Sequence, residues 1–156
     1  ITTTMPVVSL AKWKEIPEDK MVRAVTLSNL IAIRIKSKFG RLSAMCGASV
    51  AGTGAACGIT YLLGGGYDEI CRAIHNMIGD VTGMLCDDCS LKISTCVNAA
   101  FQAAFMAMRG VRVESTDGIV EDNVEYTIDN FAKLGNEGSG PMDAAILEMM
   151  LNKREA

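Results

Sequence analysis

The chain has 156 residues, 49% of them hydrophobic and 21% charged, with a net charge of −3. This composition excludes a disordered or collagen-like chain, and the absence of a basic block argues against electrostatic nucleic-acid binding. Only 5% of residues are aromatic while methionine reaches 10, so the core must be built from aliphatics, alanine and methionine. Such a core favours helices packed closely on small residues.

The chain opens at Ile1 with ITTTMPVVSL. That stretch lacks the charged start and cleavage pattern of a signal peptide and reads as the interior of a longer protein. Residues 1–16 are expected to be irregular, with Pro6 and Pro17 as breakers. Pro17, followed by Glu18 and Asp19, starts a helix that Lys36 and Lys38 close before Gly40. Met21, Val25, Leu27, Ile31 and Ile35 supply its apolar positions.

Residues 42–63 carry no charge, yet they are rich in Gly, Ala, Ser and Thr rather than Leu. A membrane span is rejected in favour of a central helix whose small residues let neighbouring backbones approach. Gly52, Gly54 and Gly58 belong to that packing surface. They do not form a dinucleotide fingerprint, because no strand precedes them and the third spacing is wrong. After the loop at 64–66, helices are predicted from Tyr67 to about Met84 and over 91–109. Residues 110–120 look β-like, with Asp117-Gly118 as a turn. Further helices are predicted at about 121–134 and 142–153, the last with Asp143 in its first turn and a core-facing methionine-rich face. The expected fold is all-α: one domain over 1–156, about six helices around two nearly charge-free central ones.

The six cysteines are Cys46, Cys57, Cys71, Cys86, Cys89 and Cys96. Their density is below the roughly 8–10% of a disulfide scaffold, and a reducing, cytoplasmic setting is expected. Cys86 and Cys89 form a C-x-x-C, compatible with a redox pair, a zinc half-site or two packed thiols. The redox reading lacks its βαβ context and the zinc reading lacks ligands, since His75, the one histidine, reads as an ordinary helical residue. Three thiolates from Cys46, Cys86 and Cys89 can also hold a 4Fe-4S cluster with one iron left open.

The stretch RLSAMCGASVAGTGAACGITYLLGG, together with NMIGDVTGMLCD and CSLKIST, resembles the serine dehydratase alpha-chain family. Within it the sequence is most similar to the branch of bacterial cysteine desulfidases and their relatives. The opening ITTTMPVV and the late DGIVEDNVEYTIDN match that branch too, so the resemblance covers nearly the whole chain. It implies an oxygen-sensitive lyase that uses a 4Fe-4S cluster to eliminate hydrogen sulfide or water from L-cysteine or L-serine, with cysteine favoured by the branch.

The resemblance places the cluster on Cys46, Cys86 and Cys89, and leaves Cys57, Cys71 and Cys96 as core thiols. Around the cluster, Lys92 is the candidate base or substrate-binding cation, Ser94 and Thr95 are candidate donors to a substrate carboxylate, and Asp87 is a candidate to orient a ligand from behind. Two departures stand out. Relatives carry a longer CDGAxxxC loop where only Asp87 and Asp88 intervene here. They also have a Gly- and Asn-rich stretch and more sequence upstream, so this chain is expected to be a C-terminal fragment. As such it would lack part of its substrate pocket and depend on that segment or on a homo-oligomer.

Overall fold

The computed structural model describes residues 1–40, 45–86 and 89–153. Among them the fold is all-α. In chain order the helices are α1 (Met5–Trp13), α2 (Glu18–Lys38), α3 (Gly47–Leu62), α4 (Tyr67–Val81), α5 (Cys89–Met108), α6 (Val124–Lys133) and α7 (Gly140–Leu151). A π-helical segment, Leu134–Gly138, joins α6 to α7.

The uncharged helix α3 lies at the centre, packed against α1, α2, α4 and α5. Nearly every one of its residues is buried. Its glycines explain how four neighbours fit. A Cβ on Gly54 would clash with the Ser28 carbonyl oxygen of α2 and stand 3.0 Å from the Ala32 Cβ. A Cβ on Gly58 would lie 2.8 Å from Val7 Cγ2 and 2.9 Å from the Ala24 carbonyl oxygen. On the opposite flank, a Cβ on Gly52 would stand 3.0 Å from that of Cys96 on α5. The α5 surface facing α3 and α4 is an alanine stripe, with Ala99, Ala100, Ala103, Ala104 and Ala107 all buried. Small residues on both sides thus give close backbone contact and dense packing.

Helix α4 shows why an amphipathic sequence makes a helix. Ala73, Ile74, Met77, Ile78 and Val81 recur at helical spacing and are buried, while Asp68, Gly79 and Asp80 face out. The Glu69 carboxylate accepts from the Gly66 backbone N–H at 2.8 Å and closes the N-terminus. That bond holds the Glu69 carboxyl below its ordinary range. Helix α6 is capped by Asn123, whose Oδ1 accepts from the Glu125 N–H at 2.9 Å. It is clamped to α2 by Arg34 and Lys38, which pair with Glu125 at 2.7 and 3.2 Å, and by Lys38 with Asp129.

Three expectations need correction. Residues 5–13 are helical, not irregular, because Pro6 occupies the first turn, where its missing N–H costs nothing. Residues 110–120 form no strand: they have no partner strand among the described residues and are held as an irregular segment by Asn76. That buried side chain donates to the Val111 and Ala103 carbonyls at 3.0 and 3.3 Å and accepts from the Val113 N–H at 2.8 Å. The turn at Asp117-Gly118 is present, with Gly118 at φ +61°. The methionine-rich helix α7 does not face the core. None of its residues is buried, and Leu147, Met149, Met150 and Leu151 are all exposed. Its register is helical, but no neighbouring element among the described residues packs over its apolar positions. No described helix is long and apolar enough to cross a membrane.

Candidate functional site

Helix α4 ends at Val81, and Gly83, at φ +90°, turns the chain back toward the start of α3. Residues 84–86 then run alongside residues 45–46. Met45 and Leu85 form an isolated antiparallel bridge, and the Cys46 N–H donates to the Met84 carbonyl at 2.8 Å. Two backbone links therefore set positions 46 and 86 on adjoining segments, and Cys89 opens α5 three residues later. Of the sequence-predicted trio, Cys46 and Cys86 thus lie on adjoining segments, and Cys89 is the first residue of α5.

Cys46 is the N-cap residue of α3, with extended backbone angles and no side-chain cap on the helix. The partial positive charge of a helix N-terminus favours an anionic group at that position. The Cys46 side chain is buried beside Ala48, Cys96, Met84 and Ile93, whereas Cys86 is exposed. Asp87 and the side chain of Cys89 lie outside the described residues. Among the described side chains, no three of His, Cys, Asp or Glu converge as metal ligands. The donor types would suit a cluster: Cys46 and Cys86 stand on adjoining segments, Cys46 at an uncapped helix N-terminus, and Cys89 follows three positions after Cys86.

The other predicted residues lie on the first turns of α5. Lys92 is half-buried, while Ser94 and Thr95 are exposed. The Thr95 hydroxyl donates to the Leu91 carbonyl at 3.2 Å, so its proton is engaged within its own helix. Cys57 and Cys96 are fully buried. Burial pushes both thiols up, that of Cys96 to about 11. Cys96 Sγ lies 3.7 Å from Met84 Sδ. Cys71 departs from this pattern, being half-buried at the wall of a cleft.

That cleft, of about 600 Å³, opens between α4 and the segment leading into α6. Its walls include Cys71, Arg72 and His75 from α4 and Arg112 and Asp122 from the facing segment. Sequence reasoning passed over it. His75 is 2% exposed, and neither ring nitrogen has a hydrogen-bond partner. Burial, then the neighbouring Arg112 guanidinium, hold the imidazole below its ordinary pKa. An i, i+4 Cys-His pair beside charged residues was the sequence signal available, but the partner residues lie some 40 positions downstream.

The all-α fold is accompanied by a clear family match. The family model for the serine dehydratase alpha chain matches residues 1–148, and the chain belongs to that family. It is similar to UPF0597 proteins of Oleidesulfovibrio alaskensis (44% identical over 99% of this chain), Porphyromonas gingivalis (46% over 99%) and Shewanella halifaxensis (48% over 98%). The chain spans 36–37% of the length of these relatives. No solved structure matches it.

Proposed function

We propose that residues 1–156 form one helical domain that carries the iron–sulfur site of an amino-acid β-eliminating lyase, of the L-cysteine desulfidase or L-serine dehydratase type. Cys46, Cys86 and Cys89 would hold a 4Fe-4S cluster. The observation that carries this reading is the pairing of segment 45–46 with segment 84–86 at the N-terminus of α3. When bound, the cluster supplies a Lewis-acidic iron without a protein ligand, which favours departure of a thiolate or hydroxide.

The chain's own residues would do the rest. Cys46 would present its thiol at the N-terminus of α3. Lys92, half-buried on the first turn of α5 and three residues after Cys89, would receive the substrate carboxylate or the α-proton. Ser94 is the better of the two hydroxyl candidates for the carboxylate, because the Thr95 proton is already committed to Leu91. Asp87 would orient a ligand from behind. Loss of the α-proton and the β-substituent leaves an enamine. Its imine tautomer takes up water and releases pyruvate and ammonia, with hydrogen sulfide as the other product from cysteine. The sequence that accounts for the rest of the relatives' length would complete the substrate pocket.

A second reading is a helical module that holds no cluster. The two-residue spacing between Cys86 and Cys89 favours it. One experiment separates the two: iron and acid-labile sulfide are measured on the full chain purified without oxygen, beside Cys46→Ser. Near-equal iron and sulfide, lost in the variant and accompanied by pyruvate release from L-cysteine or L-serine, support the lyase. Absence of iron after reconstitution selects the helical module.

A further inference from the structure

A second set of metal donors lies beside the cysteine junction, and all of them are sulfur. The Cys96 thiol of α5 donates to the Met84 thioether at 3.7 Å. The Cys46 side chain belongs to the same small buried cluster, with Ala48, Cys96 and the partly buried Met84 and Ile93. These sulfurs come from separate parts of the chain: the N-cap of α3, the turn after α4 and the second turn of α5. The Cys46 N–H bond to the Met84 carbonyl, at 2.8 Å, ties the first two together. Close packing ties in the third, since a Cβ added at Gly52 of α3 would stand 3.0 Å from the Cys96 Cβ.

Donor type and number choose the metal. Thiol and thioether sulfurs are soft ligands that select Cu(I). No His, Asp or Glu joins Cys46 and Cys96 among the described residues, so the set lacks the carboxylates that hard cations require. Zinc takes four ligands, whereas Cys46, Met84 and Cys96 supply three. The spacing also fits one ion. Two sulfurs bound at about 2.3 Å, with an angle of about 110–120° between them, stand about 3.8–4.0 Å apart. The observed separation of Met84 and Cys96 is 3.7 Å, close to that value. Cys46 and Cys96 are 1% and 0% exposed, so water is kept from an ion held between them. Met84 is only half-buried, and its flexible thioether is the edge by which the ion enters.

We propose that Cys46, Met84 and Cys96 form a three-sulfur site for a single Cu(I) ion. Binding breaks the two thiol S–H bonds and forms two copper–thiolate bonds and one copper–thioether bond. Two protons leave to solvent, and the copper stays Cu(I), so no electron is transferred. Cys46 is also the thiol assigned to the iron–sulfur cluster, so on that reading the two metals exclude each other at one sulfur. Copper binding itself does not depend on that reading.

The test uses the full chain carrying Cys86→Ser and Cys89→Ser, prepared without oxygen or iron. These changes remove the C-x-x-C, which can take copper on its own, and with it two of the thiols assigned to the cluster. All three sulfurs of the proposed site stay in place. Cu(I) is titrated in competition with bicinchoninate, and X-ray absorption reads its ligands. The expected result is one Cu(I) per chain, bound by three sulfurs. Cys96→Ala and Met84→Leu, added singly to this background, should each weaken binding by about 10-fold or more, with circular dichroism and Tm of the metal-free chain retained. Met84→Leu nearly conserves volume, so it keeps the test open even if the change at buried Cys96 perturbs folding. Loss of all copper to bicinchoninate, nitrogen or oxygen ligands on the ion, or unchanged affinity in either variant would each overturn the assignment and leave Cys46 and Cys96 as packed thiols. Failure of the cluster reading shows separately: a wild-type chain without iron and sulfide sinks the lyase, while copper bound in the double variant leaves this site standing.

Discussion

The Cys46 N–H donates to the Met84 carbonyl at 2.8 Å, across a junction between segments almost 40 residues apart in the chain. This bond, with the Met45–Leu85 bridge, fixes the two candidate cysteine positions relative to each other. It exists because Gly83 turns the chain at φ +90°, a conformation in which a side chain is strained. Gly83→Ala meets no neighbouring atom, so its effect is purely conformational, about 1–2 kcal/mol. The expected outcome is a modest fall in Tm and a larger fall in bound iron, with every thiol intact. Wild-type iron content in a well-folded Gly83→Ala would show that the 83–86 turn does not set cysteine placement.

The central helix makes a sharper prediction about stability. Gly54→Ala places a methyl group against the Ser28 carbonyl of α2, a backbone atom that cannot rotate away. Overpacking of this kind costs about 1–3 kcal/mol. Gly47→Ala, on the first turn of the same helix, meets nothing within 4 Å, and should be neutral or slightly stabilising through reduced chain entropy in the unfolded state. Urea denaturation of the two variants should separate them by at least about 1 kcal/mol, in that order. Equal stabilities would mean that α2 and α3 are not in close backbone contact.

Asn76 is the side chain that replaces a missing strand partner. It satisfies two carbonyls and one N–H on α5 and on residues 111–113. Asn76→Ala leaves these groups to find other partners, at a cost of about 2–4 kcal/mol. Asn76→Asp keeps the acceptor for Val113 but cannot donate to Val111 or Ala103, so it should not rescue. Hydrogen exchange read on residues 111–123 should accelerate in both variants, and more there than in α3. Uniform acceleration throughout the chain would instead indicate a general loss of stability.

Much of this architecture was legible because it is written in short-range patterns. The uncharged run with Gly52, Gly54 and Gly58 announced a central helix, and the acid-rich start and lysine-rich end of α2 announced its limits. Helix α1 was missed because Pro6 was read as a breaker, although a first-turn proline starts helices as readily as it stops them. The exposure of α7 was not legible, since an apolar helix looks the same whether or not a partner packs against it. Cys46 and Cys86 were legible as candidates through long motifs around each, but the backbone bridge that joins them depends on tertiary packing. The burial of His75 was not legible either, and the groups that share its cleft, Arg112 and Asp122, lie far from it in sequence.

His75 also gives the chain a pH-dependent stability whose sign can be worked out. Burial, followed by Arg112, depresses the imidazole pKa in the folded state, while Asp122 opposes the shift. In the unfolded chain the ring titrates near its ordinary value of 6.5. Below that value the unfolded state takes up a proton that the folded state resists, so the unfolded state binds more protons and stability falls as pH falls. The contribution is complete above about 6.5 and is lost progressively as pH drops below it. The nearby carboxylates Asp122, Glu125 and Glu69 are shifted below their ordinary range, so they respond only at more acidic pH. Between about pH 7.5 and 5.5 the wild-type chain should lose stability that His75→Leu does not lose. At the upper pH the variant should be at least as stable as wild type, because it removes two unpaired nitrogens from the interior. Urea titrations at both pH values provide the check: parallel losses in the two proteins would mean that the imidazole is hydrated or paired in solution, and that its burial does not govern the acid response.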